Sequence, residues 1–455
     1  MPRKIVIIGA NAAGVSAAAF ARKTDREAEI TLIERDKYAA YSRCGLPFAI
    51  AGEIPRLEDI VLYPPEYYKT MRLDLRLETE ARSVDLGART VKIVDKSGRE
   101  EELSFDSLIF CTGARAWIPP IEGRDKKGVF TLRTLDDARA IMEAMKNAKS
   151  AVVIGAGAIG LEMAAALTEK GVKTTIVEML PHALPLSLDA DMARPVHEEL
   201  EKHGVDLIFG KPVSRILGDE KVKAVEVEGE EIKADMVVAA TGVRANTELA
   251  SEAGLAISPA TGAIKTDFRM RCLDARRHRP VEGVYAAGDC AENVNYVTGM
   301  PAVSQLGTAA VRMGKVAGIN AAGGYATFPG FLGSFVTRVF GLRVGSSGLT
   351  AEMARRMGFD VVAGSIRHIT RAEYYPDHKP IRVKLVVDRR TKRIIGGQVL
   401  GEEDVTARVN AIAVAIYARM TVYELEEVCN AYAPPLADVW DPVSLAADAV
   451  ARRLK

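Results

Sequence analysis

The sequence predicts an α/β chain of two nucleotide-binding domains followed by a smaller α+β domain, and three observations carry that prediction. A strand–glycine turn–helix–strand unit opens the chain, the same unit returns in mid-chain, and the texture changes near Thr327 to a stretch without glycine turns. At 455 residues the chain has room for two to four domains of roughly 100–200 residues each. The expected boundaries are 1–114 with 243–326 for a first, discontinuous domain, 115–242 for a second, and 327–455 for the tail.

The first unit begins with the β-branched run Lys4–Ile8, turns through Gly9-Ala10-Asn11-Ala12-Ala13-Gly14, and continues as a helical stretch from Val15 to Lys23. A second strand, Glu29–Ile33, ends in Glu34. In the repeat, Ala151–Ile154 leads to Gly155-Ala156-Gly157-Ala158-Ile159-Gly160, a helix from Leu161 to Lys170, and Lys173–Val177 ending in Glu178. This is the Rossmann-like pattern. One glycine permits the tight turn, another lets a pyrophosphate approach the backbone, and the last lets helix pack on strand. Phosphates then face free N–H groups at the helix N-terminus, and the acid about 20 residues on can accept from a ribose diol. A single such turn often joins strand to helix with nothing bound. Two copies, each in register with its acid, argue for two dinucleotide sites. Asn11 stands at the second glycine position of the first turn, where Asn tolerates unusual dihedrals better than most residues.

Further strand ends follow the same logic. Ser107–Gly113 and Met236–Gly242 are apolar runs into Thr-Gly, and Gly283–Asp289 runs into Gly-Asp ahead of a helix from Gly307 to Ala321. Beyond 327, strands are expected at Ile381–Val387 and Ile394–Leu400, with helices through 404–428 and 441–454.

Composition narrows the function. Sixty-one Lys+Arg against 60 Asp+Glu leaves a net charge of +1, so no nucleic-acid surface is implied. No run of 18 apolar residues predicts a membrane span, and the first motif starts too early for a leader, so a cytoplasmic protein is expected. Five scattered cysteines without a CxxC pair exclude a zinc ribbon and a disulfide framework, and no metal site is expected. Two Gln and eight Asn make a chain poor in thermolabile amides, a hint of a hot-growing source.

On these motifs the chain resembles the flavin-dependent pyridine nucleotide–disulfide oxidoreductases along nearly all its length. The resemblance implies that Gly9, Ala10, Ala13, Gly14, Glu34, Arg35, Arg43, Thr112 and Gly113 hold FAD, with Gly288 and Asp289 at the flavin's ribityl chain. It implies that Gly155, Gly157, Ile159, Gly160, Glu178 and Gly242 bind NADH, and that the tail is a dimerisation domain. Glu178 suits a free ribose diol and repels a 2′-phosphate, and no Arg cluster follows it, so NADH is favoured with NADPH as the alternative.

Cys44 lies in Tyr41-Ser42-Arg43-Cys44-Gly45-Leu46-Pro47-Phe48. In the dithiol branch a second cysteine stands five positions away; here those positions are Ala39 and Ala49. What remains resembles the single-cysteine branch of coenzyme A disulfide and persulfide reductases, NADH oxidases and NADH peroxidases. A thiolate at a helix N-terminus beside Arg43 has a lowered pKa. The other four cysteines read as small buried hydrophobes.

Oxidases and peroxidases of that branch resemble Gly-x-x-His-x-Gly in the first turn; here the histidine position is Ala12, whose methyl cannot handle a proton. The segments Ala431–Pro435, Val439–Pro442 and Glu373–Pro376 resemble those of coenzyme A disulfide reductases. There, tyrosines of a partner subunit reach the active-site sulfur, which implies Tyr432 and one of Tyr374 or Tyr375 here. Arg22, Ser42 and Arg72 are the candidates to hold coenzyme A as substrate or bound thiol. No rhodanese-like segment follows the tail, so a persulfide is expected to come from outside.

The expected protein is therefore an FAD-dependent NADH oxidoreductase that reduces CoA persulfide, CoA disulfide or a related polysulfide through Cys44. It is expected as a homodimer or dimer of dimers whose active site the partner completes. The alternatives are an NADH oxidase yielding mainly H2O2 and a flavin electron-transfer reductase that does not use the cysteine.

Overall fold

The computed structural model describes residues 1–454, which divide into two compact units. The first comprises Met1–Gly45, Pro55–Ala116 and Val243–Phe331. Its sheet has six strands in the order Arg271–Leu273, Pro280–Ala286, Ser107–Phe110, Lys4–Ile8, Glu29–Ile33 and Leu73–Arg76, parallel except for the first pair. Lys4–Ile8 is central, with Ile5 paired to both Ile30 and Ser107. Buried on both faces, such strands read as continuous apolar runs, as Ile5, Ile7, Leu108 and Ile109 do.

Helices Ala12–Thr24 and Gly307–Ala321 pack against each other through small residues. A Cβ on Gly314 would lie 2.2 Å from the Ala13 carbonyl oxygen, and one on Gly318 2.1 Å from that of Ala17. Only glycine allows this approach.

The second unit comprises Leu46–Ile54, Trp117–Gly242 and the described chain from Leu332 on. The segments expected as a nucleotide domain and as a tail domain thus cluster together, with the short helix Leu46–Ala51. That helix packs on helix Ala158–Glu169, which also meets strand Phe335–Val339. A parallel sheet runs Asp206–Phe209, Lys173–Glu178, Ser150–Ile154, Met236–Ala239, Val129–Phe130. A second, antiparallel sheet runs Phe335–Val339, Leu342–Gly348, Ile394–Gly401, Pro380–Asp388, Val361–Ile369. Helices Val405–Tyr417 and Pro442–Leu454 pack on it. No helix among the described residues is long and apolar enough to cross a membrane.

Candidate functional site

In the first unit, parallel strands deliver their C-terminal ends to one edge of the sheet, where ligands bind in open α/β sheets. Gly9 takes φ +103°, and a Cβ there would lie 2.2 Å from the Cys111 carbonyl oxygen. Gly14 closes the turn from the other side, since its Cβ would lie 1.8 Å from the Gly9 carbonyl oxygen. Gly288, at φ +83°, presses on the same turn, with a Cβ position 3.0 Å from that of Ala13. The structure therefore gathers Gly9, Ala10, Ala13, Gly14, Gly288 and Asp289 around one turn.

Asn11 proves to be a helix cap. Its backbone is extended, and its side-chain oxygen accepts from the Ala12 N–H. Position two of the turn needs no left-handed backbone, so the departure from glycine carries no strain. Glu34 accepts from the N–H of Ala10 at 2.8 Å and of Asp36 at 3.1 Å. Burial raises the Glu34 carboxyl and the Tyr41 phenol, and the Arg43 charge opposes both rises. Arg43 lies 5.7 Å over the Tyr41 ring, and its charge acts on the Glu34 carboxyl that braces the turn. Arg35 is exposed. Thr112 donates to the Asn246 carbonyl at 2.6 Å while the Asn246 amide donates back to the Thr112 carbonyl at 2.9 Å, a clasp that sequence reasoning missed.

The second turn repeats the geometry in the other unit. Gly155 takes φ +105° against the Ala240 carbonyl, and Gly160 packs on the Gly155 carbonyl. Glu178 accepts from the N–H of Ala156 at 2.7 Å and of Leu180 at 2.8 Å. A Cβ on Gly157 or Gly242 would meet nothing within 4 Å. Ile159 is 40% exposed, and Met179, beside Glu178, is 66% exposed.

Neither helix carries an acidic residue in its first turn. Positive N–H ends, glycine cradles and an acid braced against each turn fit a dinucleotide in both places.

Cys44 is exposed, on a one-turn 3-10 helix, Arg43–Gly45, that runs directly into helix Leu46–Ala51. Ser42 holds that turn by accepting from the Gly45 N–H at 3.1 Å. Cys111, Cys272 and Cys290 are buried, and burial raises all three thiols. Cys429 is exposed, against expectation, on the segment leading to Tyr432.

The structure corrects the expectation for Arg22. Its guanidinium is buried and donates to the carbonyls of Met71, Arg26, Ala28 and Arg72 at 2.7–3.0 Å, so it braces the fold and is not presented to a ligand. Arg72 turns back to the Arg26 carbonyl and lies 3.6 Å from Glu27. Lys23 on helix Ala12–Thr24 and Lys315 on helix Gly307–Ala321 are exposed cations, with Nζ atoms 4.6 and 5.1 Å from the Phe20 ring.

Tyr374 and Tyr432, both exposed, share a hydrogen bond at 2.9 Å between their hydroxyls. That bond raises the Tyr432 phenol, and the Asp438 charge adds to the rise. Tyr375 stands outside the pair; its carbonyl faces His378 Nδ1. Sequence reasoning also missed Glu162, on the second glycine-turn helix. Burial pushes its carboxyl up to about 7, opposed by a hydrogen bond from the Thr337 hydroxyl at 2.5 Å. Phe48, Glu53, Arg338 and Phe340 line a small cavity beside it. No cluster able to hold a metal ion occurs among the described residues.

Two dinucleotide crevices and an exposed cysteine close to the first in sequence define a nucleotide-dependent redox enzyme. The chain belongs to the pyridine nucleotide-disulphide oxidoreductase family, whose profile matches residues 3–314, and the family's dimerisation domain matches residues 336–443. It is 42% identical to an NADH oxidase of Methanocaldococcus jannaschii over 99% of both chains. It is 38% identical to an NAD(P)H coenzyme A polysulfide/persulfide reductase of Pyrococcus horikoshii over 97% of both. The solved structure of an NAD-dependent persulfide reductase from A. fulgidus superposes with a TM-score of 0.94 at 38% identity, covering 99% of this chain and 83% of that one. The protein is an NAD(P)H-dependent flavoprotein oxidoreductase.

Proposed function

We propose that the protein reduces CoA persulfide or CoA disulfide with NADH, through Cys44 as its single redox cysteine. The observation that carries this reading is the contrast among the thiols. Cys44 is exposed on a structured turn in the first unit while the three other cysteines of that unit are buried among apolar groups. FAD and NADH, when bound, supply the hydride and electron transfer. The main-chain N–H groups of Ala13 and Gly14 would hold the FAD pyrophosphate, and those opened by Gly157 the NADH pyrophosphate. Glu34 and Glu178 would meet the adenosine riboses.

The Cys44 thiolate attacks one sulfur of the substrate's S–S bond. A new S–S bond forms at Cys44, and the other sulfur leaves as thiolate or hydrosulfide. Two-electron reduction of the new bond, with electrons that come from NADH, restores the Cys44 thiolate and releases the sulfur bound to it as CoA thiolate or hydrosulfide. In a homodimer one phenolic hydrogen of the partner's Tyr432 and the partner's Tyr374 joins the two hydroxyls, and the other donates a hydrogen bond to the departing sulfur. Lys23 and Lys315 supply the positive charge that the CoA phosphates need, with Phe20 as an apolar surface between them. A cytoplasmic location suits a redox-active cysteine of this kind.

A second reading, NADH oxidase, is favoured by the name of the M. jannaschii relative. Against it stands Ala12, the first residue of the first glycine-turn helix, whose methyl offers no proton. The test is anaerobic NADH oxidation with CoA persulfide, CoA disulfide or elemental sulfur, beside a sample given oxygen alone. Turnover that requires a CoA sulfur substrate supports the first reading, and turnover dominated by oxygen selects the second.

A further inference from the structure

The Tyr374–Tyr432 pair is made of two exposed hydroxyls, and an exposed hydrogen bond of that kind contributes too little to fix its own geometry. Tyr432 lies in an irregular segment between helix Val422–Glu426 and helix Pro442–Leu454, so nothing in regular secondary structure holds it. Besides Asp441 at its end, which lies 3.3 Å from the buried Arg408, the segment has two side-chain anchors. Asn430 donates to the Ser444 hydroxyl at 2.8 Å, and Asp438 meets His368 Nε2 at 2.7 Å.

The second anchor has a particular placement. His368 lies on strand Val361–Ile369, opposite Ile381, and the chain leaving that strand presents Tyr374 six residues later. Asp438 follows Tyr432 by the same six residues. Two segments, 368–374 and 432–438, are therefore joined by two rungs, one half-buried and one exposed. Asp438 uses its second oxygen to accept from the Val439 N–H at 2.8 Å, which fixes the carboxylate in place. The half-buried rung has a carboxylate acceptor and a rigid strand beneath it, and bonds of that kind are the stronger ones.

We propose that His368 and Asp438 are positioning residues that hold the Tyr432 segment against the strand, so that the two tyrosine hydroxyls stand as a preorganised pair for the substrate sulfur. The inference rests on the role given above to Tyr432. Neither residue touches the substrate. Their effect passes through the geometry of the pair, where misplacement by about 1 Å costs up to roughly a hundredfold in rate.

The test uses the full-length holoenzyme with CoA persulfide and the variants His368→Ala, Asp438→Ala, His368→Gln and Asp438→Asn, with Tyr432→Phe as reference. FAD content and thermal melting report folding. The alanine variants are expected to lower kcat by roughly ten- to a hundredfold with KM for NADH near wild type. In a spectrophotometric phenol titration His368→Ala, which leaves the Asp438 charge in place, is expected to move Tyr432, assigned by its loss in Tyr432→Phe, down toward the ordinary tyrosine range. The Gln and Asn variants keep a hydrogen-bonding group and are expected to recover most of kcat, which also keeps the proposal testable if an alanine variant fails to fold. Wild-type kcat in both alanine variants and an unmoved Tyr432 titration in His368→Ala, while Tyr432→Phe is slow, overturn the positioning role alone. A Tyr432→Phe enzyme as fast as wild type overturns the role of the pair, and this proposal with it.

Discussion

The two glycine turns share one sequence pattern and one backbone, yet they are finished differently. In the first, every space a Cβ could enter at Gly9, Gly14 and Gly288 is occupied by protein, and Asn11 caps the helix with its own side chain. In the second, Gly155 and Gly160 are equally enclosed, but a Cβ on Gly157, at the position Asn11 holds in the first, meets nothing within 4 Å, and Ile159 and Met179 are exposed. The residue two past the last glycine differs as well. Ser16 donates to the Val311 carbonyl at 2.8 Å, whereas Glu162 is a carboxyl with a single hydroxyl partner. A sealed, capped turn suits a nucleotide that stays, and an open turn suits one that must leave in every cycle.

Substitutions can break that comparison, beginning with the largest effect. Gly9→Ala forces a Cβ onto the Cys111 carbonyl at a left-handed φ, so it is expected to lose about 4 kcal/mol or more of stability and to purify without flavin. Chemical denaturation and flavin absorbance check both.

Glu162 comes next. Burial holds its carboxyl at about 7 against an ordinary 4.5, so the folded chain binds that proton more tightly than the unfolded chain does. The carboxyl therefore costs nothing below about pH 4.5 and destabilises progressively as the pH rises to about 7. Glu162→Gln is expected to be more stable than wild type by up to about 3 kcal/mol at pH 8, with the advantage gone by pH 4.5. Urea melts across that range check the sign. Asn11→Ala removes the cap and is expected to cost about 1 kcal/mol, whereas Asn11→Gly, which copies the second turn, costs only a few tenths.

The smallest stability effect belongs to Gly157→Ala, expected within about 0.5 kcal/mol of wild type because its φ is −74° and its Cβ meets nothing. Its KM for NADH is expected to rise while flavin content holds. A Gly157→Ala enzyme that loses several kcal/mol of stability would show that position closed and end the distinction between the turns.

The backbone of this site was legible because glycines and a terminal acid leave marks at fixed spacing. Gly307–Ala321 is a helix with the expected ends, and both turns bring their acid to the residue after the first glycine. Destinations of long side chains were not legible. Arg22 can reach either solvent or its own turn's carbonyls, and only the path of the chain at Met71 and Arg72 decides between them. Glu162–Thr337, the Thr112–Asn246 clasp and His368–Asp438 all join segments far apart in the chain, and no local pattern announces such pairs. The tail's strand at Phe335–Val339 was not legible because residue type and burial disagree along it, with Val336 exposed and Thr337 buried.

The central claim concerns Cys44, and the most direct measurement is anaerobic NADH oxidation by Cys44→Ser with CoA persulfide as acceptor. Exposure at that position makes the substitution structurally mild, so FAD content and melting temperature are expected to match the wild type. Sulfur-dependent turnover is expected to fall by roughly a hundredfold or more. Wild-type turnover by the serine variant would contradict it and leave the flavin reducing its acceptor without the thiol.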